Sequence, residues 1–257
     1  MPGGIFDSSK TRVAPVFEAL AASNRNWVHD LLVLAEASPN RFSGSGLDLR
    51  FQSGAWGERE TPIPPPVSLL SWLIRNPAKL RAIEAEDSNR NLLLHGNPTA
   101  VAKALDLLRT DGASRAWYIL EGPTVPDAFI ETPDALVVIE GKRTEAGPTT
   151  DTTWLSGRHQ IWRHIDAAWE RKGRRKVFGM FIVEGEPRTG AVPHHWRKAI
   201  EDALSPAVIE SSFPHRGPEE RSSITSSLLG VTTWQHLVQT FGLPNSTLIE
   251  RLGETKL

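Results

Sequence analysis

Two acids and a lysine surround an apolar hairpin in the stretch PDAFIETPDALVVIEGK, residues 126–142: Asp127 and Glu140, with Lys142 two residues after the second acid. Burying a carboxylate is costly unless a cation or hydrogen bonds compensate it. Pro133 and Asp134 suit the two central positions of a turn between Thr132 and Ala135. Across a two-residue loop, residues whose numbers sum to 267 face one another, so Asp127 stands opposite Glu140. Their Cβ atoms are then about 5 Å apart, and strand alternation puts Lys142 on the same face. A three-residue loop would break this opposition. Two facing carboxylates repel, and a hard divalent cation such as Mg²⁺, which takes oxygen ligands while keeping several waters, relieves the repulsion. The competing reading is a solvated hairpin end in which Lys142 neutralises one acid. The run LVVI before Glu140 is apolar on both faces, which suits a central buried strand.

The elements that must position these residues follow from periodicity and breakers. Helical spacing marks 14–37 as a helix or helix pair. A Gly/Ser/Pro-rich stretch follows, ending in Pro64, Pro65 and Pro66, and reads as an irregular connection. Within it Gly44, Ser45 and Gly46 lack the spacing of a nucleophile elbow. Helices are expected over 67–86 and 99–109. Short apolar runs bounded by Gly, Pro and Asp predict strands at 116–120, 125–132 and 135–143. A helix at 157–172, a strand at 176–183, a helix at 193–204, a short strand at 207–211 and a helical segment at 222–241 complete the chain. The order implies an α/β architecture, a mixed central sheet flanked by helices. We divide it into a mainly helical N-terminal extension with its Pro/Gly-rich connection (1–95) and an α/β core with a helical C-terminus (96–257).

Pro126-Asp127 followed by Glu140-Gly141-Lys142 at the end of an apolar strand resembles the PD-(D/E)XK nuclease superfamily, with its restriction-endonuclease-like or RecB-like fold. The resemblance covers about residues 98–183, as motif and order of elements. It implies that Asp127 and Glu140 bind Mg²⁺, with Mn²⁺ as a substitute, that the Gly141 carbonyl helps hold the metal, and that Lys142 positions or activates the attacking water. The expected activity is metal-dependent hydrolysis of phosphodiester bonds, in DNA before RNA. The helix RHQIWRHIDAAWERKG adds a second likeness, because many RecB-like nucleases carry Q-x-x-x-Y there. This chain has Gln160 but His164 in place of the tyrosine, which leaves that histidine open between a structural role and a phosphate contact. Arg158, Gln160, Arg163 and His164 are the expected nucleic-acid contacts. For an upstream helical acid Glu84, Asp106 and Glu121 are the candidates, none in a distinctive motif. The alternative is a catalytically inactive nuclease-fold module that binds nucleic acid or a partner.

Composition bounds these expectations. The chain has 257 residues, a formal net charge of −1 and no cysteine, which excludes disulfides, zinc thiolates and cysteine nucleophiles. With pI near 6.7 the chain is no polycation, so any nucleic-acid contact must be local. Between Leu155 and Lys176 seven cations stand against two acids, the one strong charge cluster. A solvated helix end accounts for such a cluster equally well. No H-E-x-x-H or deaminase spacing organises the eight histidines, His194 and His195 read as a cap or surface pair, and the nine tryptophans read as packing before base stacking. No basic leader or membrane span is evident, so a cytoplasmic chain with no membrane partner is expected, with homo-oligomerisation left open.

Overall fold

The computed structural model describes residues 7–23, 26–113 and 116–250. Helices α1 (Ala14–Ala21) and α2 (Trp27–Val33) lead into two short strands, β1 (Glu36–Ala37) and β2 (Ser53–Trp56). Three helices come next, α3 (Val67–Arg75), α4 (Ser88–Leu94) and α5 (Pro98–Asp111). The hairpin β3 (Ala128–Glu131) and β4 (Ala135–Gly141), helix α6 (Gln160–Arg171) and strand β5 (Lys176–Val183) then form the centre. The chain finishes with α7 (His194–Ala203), α8 (Pro206–Ser212), α9 (Pro218–Thr225), β6 (Leu228–Thr233) and α10 (Trp234–Phe241). The six strands make one mixed sheet in the order β1-β6-β5-β4-β3-β2, with β4, β5 and β6 parallel and the other pairings antiparallel. It is an α/β fold with helices on both faces.

Every residue of β4 is buried, as its β-branched run on both faces requires. Leu136 and Val138 pack with Ile161 and Ile165 of α6, while Val137 and Ile139 meet Val16 and Phe17 of α1 on the opposite face. Close packing of α6 depends on Gly179 in β5: a Cβ there would lie 2.5 Å from Cδ1 of Ile165. Gly141 is equally constrained, since its Cβ would meet Val13 at 2.7 Å and Trp234 at 2.9 Å. At that position the bare backbone admits both neighbours.

Residues before 95 are built into the sheet, because they supply both edge strands and the α1–α2 cover of one face. Helices α3 to α5 form a module between β2 and β3 with its own core, including Leu69, Leu73, Leu93, Ala104, Leu108 and Tyr118. Its neck is closed by Ile63 and Thr124, whose backbones exchange N–H···O bonds of 2.8 and 2.9 Å. Asn97 caps α5 by accepting from Ala100 N, and Gly112 ends it at φ +65°.

Several local expectations are corrected. Helix 67–86 stops at Arg75, where Asn76 precedes Pro77 and is disfavoured in helical backbone. Helix α4 (Ser88–Leu94) was not expected at all. The stretch 116–120 is no strand but a loop whose Tyr118 and Leu120 fill the helical module's core. Residues 207–211 lie in α8, which Pro206 opens at its first turn. The helical segment 222–241 contains β6, fully buried, and the irregular connection contains β2. Among the described residues no helix is long and apolar enough to cross a membrane.

Candidate metal and phosphodiester site

The hairpin register is the one the two-residue loop demands. Ala128 pairs with Ile139 and Phe129 with Val138, and the turn is closed by Thr132 N–H donating to the Ala135 carbonyl at 2.9 Å. Asp127 directly precedes β3, and Glu140 is the penultimate residue of β4. Both stand at the carboxyl end of the parallel strands, where open α/β sheets commonly bind ligands. The Gly141 N–H donates to Asp127 Oδ2 at 2.7 Å. Lys142 N–H bonds the Ile182 carbonyl, and the Lys142 carbonyl accepts from Glu184 N–H, so strand alternation turns both main-chain groups of Gly141 away from β5 toward Asp127.

Glu140 is only 2% exposed, and three side chains grip it. Its Oε1 accepts from Lys142 Nζ and Gln160 Nε2, each at 2.6 Å, and its Oε2 lies 2.8 Å from His164 Nε2. Gln160 and His164 are one turn apart on α6, so both reach the same carboxylate. Burial pushes the Glu140 carboxyl up, but the His164 and Lys142 bonds and charges outweigh it and hold the group below its ordinary value. Asp127 goes the other way. Burial and then the Glu140 charge raise it to about 8, against the smaller pull of Lys142 and the Gly141 N–H. Burial would lower Lys142, yet Glu140 and Asp127 hold it above its ordinary value.

Compared with known proteins, the chain matches no family model, no curated protein and no solved structure. What the site can do therefore has to be read from its own atoms.

Among the described residues no three His, Asp or Glu side chains form a ready-made metal cage. The donor set nevertheless fits Mg²⁺, which needs few protein ligands and keeps several waters. A carboxylate has about four acceptor positions. Three donors meet Glu140, leaving one position there, whereas Asp127 accepts a single hydrogen bond from the described residues. Burial first, and then the Glu140 charge, raises Asp127, so a cation placed beside it would favour its ionised form.

The remaining expected contacts separate. Gln160 and His164 converge on Glu140, and His164, buried between Glu140 and Thr124, is withdrawn from any phosphate contact. Arg158 is corrected outright: it is fully buried, paired with Glu121 at 3.1 Å and Asp166 at 2.8 Å, and donates to the Ser212 carbonyl. Arg163 is half-buried, 3.7 Å from Glu121. At the far end of the basic cluster, Lys176 pairs with Ala135 across β5 and β4, about 17 Å along the strand from Glu140 at some 3.3 Å per residue.

None of the three candidate upstream acids faces the pair. Glu84 and Asp106 are exposed, the latter bonded to Arg109, and Glu121 is consumed by Arg158. The acid that does approach is Glu60, whose charge helps raise Asp127. Its own carboxyl is raised by burial and by Glu140 and Asp7, and lowered by the Ser9 hydroxyl, which donates to it at 2.9 Å. Trp56 of β2 pairs with Ala128, so the turn after β2 runs beside Asp127. Recognising β2 inside the Gly/Ser-rich stretch was the one signal that could have pointed to Glu60.

Proposed function

We propose that this chain is a metal-dependent phosphodiesterase of the PD-(D/E)XK type, acting on DNA. The observation that carries the reading is the meeting of Asp127, Glu140 and Lys142 at one strand end, with Gln160 of the following helix bonded to Glu140. Asp127 and Glu140 would hold Mg²⁺, with the Gly141 carbonyl on the Asp127 side of β4 as a further oxygen. Such an ion supplies a water of lowered pKa and polarises a phosphoryl oxygen. Lys142, kept protonated by the two acids, orients the attacking water and opposes negative charge that grows on the phosphate. Gln160 and His164 prevent the Glu140 carboxylate from rotating.

A second reading has one observation in its favour. Glu140 already receives three donors, the pattern of a structural ion cluster, and this suits an inactive nuclease-like fold that binds nucleic acid. Incubation with circular, linear and single-stranded DNA and with RNA, in Mg²⁺ or Mn²⁺, separates the two. Metal-dependent cleavage of DNA that Asp127→Ala abolishes is the expected result. Binding without cleavage in either metal overturns the enzyme reading.

A further inference from the structure

His164 occupies an unusual place for a ring that bonds a metal-binding acid. It is 2% exposed, and both of its nitrogens are engaged: Nε2 lies 2.8 Å from Glu140 Oε2 and Nδ1 lies 2.7 Å from Thr124 Oγ1. An ionised carboxylate can only accept, so Nε2 must carry a proton. Nδ1 then meets a hydroxyl, which can serve it as donor or acceptor.

Thr124 is itself fixed from the other side. Its backbone N–H and carbonyl both pair with Ile63, closing the neck of the helical module, and it is 5% exposed. The neck thus aims one hydroxyl at α6. Gln160 and His164 then take opposite oxygens of Glu140 from successive turns, Gln160 on Oε1 and His164 on Oε2.

We propose that Thr124 is a positioning residue for this site. Its hydroxyl holds the His164 ring so that Nε2–H is directed at Glu140, and through that ring it sets the plane in which Glu140 offers its remaining acceptor position beside Asp127. The helical module between β2 and β3 is thereby tied to the acid pair through Ile63, Thr124 and His164, so it acts on the site without touching it. Hydrogen-bond partners behind a metal-binding side chain commonly contribute about ten- to a hundredfold in affinity or activity when removed. Metal affinity and turnover rest on the nuclease reading above; the proton position on His164 does not.

The test compares Thr124→Val, which keeps shape and loses the hydroxyl, with Thr124→Ser, which keeps the hydroxyl. Thr124→Ala removes the hydroxyl without setting a second methyl against the ring, and serves if the valine variant does not fold. Nitrogen-15 NMR of the His164 ring in metal-free protein reads the proton position. Calorimetric titration with Mg²⁺ and DNA cleavage rates follow, with Asp127→Ala as control. The wild type and Thr124→Ser should show a protonated Nε2 with one ring orientation. The valine and alanine variants should keep Nε2 protonated, as Glu140 requires, but lose the single ring orientation, with Mg²⁺ affinity and cleavage down about tenfold or more. A wild-type ring spectrum in both variants lacking the hydroxyl overturns the proposal. So does a serine variant as impaired as valine, which would assign the effect to the methyl group. If the wild type neither binds Mg²⁺ nor cleaves, the nuclease reading falls while the ring spectrum alone decides the role of Thr124.

Discussion

Two aspartates, Asp166 fully buried on α6 and Asp127 half-buried just before β3, show opposite electrostatics. Burial alone would raise Asp166, but Arg158, His215 and Arg216 more than reverse it and hold the carboxyl at about 2. Asp127 is raised to about 8 by burial and by Glu140. The difference lies in which cations touch each carboxylate. Around Asp166 two arginines, Arg158 and Arg216, answer the two most buried acids, Glu121 and Asp166, and Arg216 also reaches Glu170 at 2.8 Å and Glu220 at 2.9 Å. Among the described residues Asp127 has no ion pair: Lys142, whose charge lowers it, bonds Glu140 instead, and the nearby Glu60 adds negative charge. The first cluster is closed and ties α6 to α9 and the preceding loop. The second leaves Asp127 without a directly bonded cation among the described residues.

The contrast breaks most sharply under removal of an acid. Replacing Asp127 or Glu140 by alanine should lower cleavage by about a thousandfold or more and remove Mg²⁺ binding, because a metal held by two carboxylates cannot spare one. Asp166→Asn should leave the cleavage chemistry in place but cost about 3–5 kcal/mol of stability, because Arg158 and Arg216 lose the buried carboxylate they share. Urea unfolding beside a cleavage assay separates these outcomes. Equal loss of stability in Asp127→Ala would mean that both clusters are structural.

Lys142→Ala ranks next. Cleavage should fall about a hundredfold while Mg²⁺ affinity holds or rises slightly, since the ammonium occupies an acceptor position of Glu140 and competes with the ion. Calorimetry with single-turnover rates checks the split. Near-normal cleavage would remove the lysine from the mechanism.

The two aspartates should also respond to pH in opposite windows. Asp127 has a folded pKa above its ordinary 3.8, so its contribution is full below about pH 4 and is lost as pH rises through about 8. Asp166 is depressed, so its contribution is present above 3.8 and is lost as pH falls through about 2. Metal-free protein should therefore lose stability between pH 4 and 8. Asp127→Asn should flatten that decline, and Mg²⁺ should raise the melting temperature more at pH 8 than at pH 6. A Mg²⁺ effect independent of pH would separate the ion from Asp127.

The smallest effect is expected from the far end of the basic cluster. Neutralising Arg174 and Lys176 together should change DNA affinity at moderate salt by no more than about twofold, because they stand at the hairpin-turn end of the sheet. Titration at two salt concentrations measures it. A large loss, with a shallower salt slope, would move the DNA path to that end.

Much of the acid pair was legible in the chain order. An even loop at Pro133-Asp134 has only one register, and the apolar run on both sides of Val137 demands a buried strand, so Asp127 and Glu140 had to meet. Gln160 beside them followed from the helix that returns over β4. Strand β6 was hidden because LLGVTT, a short buried run directly followed by a helix, is too short for its periodicity to separate strand from helix. Basic residues were misassigned for a related reason. Arg158 looks like a surface charge in the sequence, and its acidic partners Glu121 and Asp166 lie 37 and 8 residues away.

Local chemistry by itself determined the hairpin, the facing of the two acids, the position of Lys142 on their face and the glycine between them, all consequences of side-chain alternation and turn geometry. Tertiary structure alone decided which charges are compensated. That depends on distances between segments far apart in the chain: Glu60 arriving from the turn after β2, Thr124 from the neck of the helical module, and Arg216 beneath α6. Coulomb and desolvation energies depend on those spatial neighbours and not on sequence separation, so the raised carboxyl at Asp127 and the lowered one at Asp166 become distinguishable only once the chain is folded.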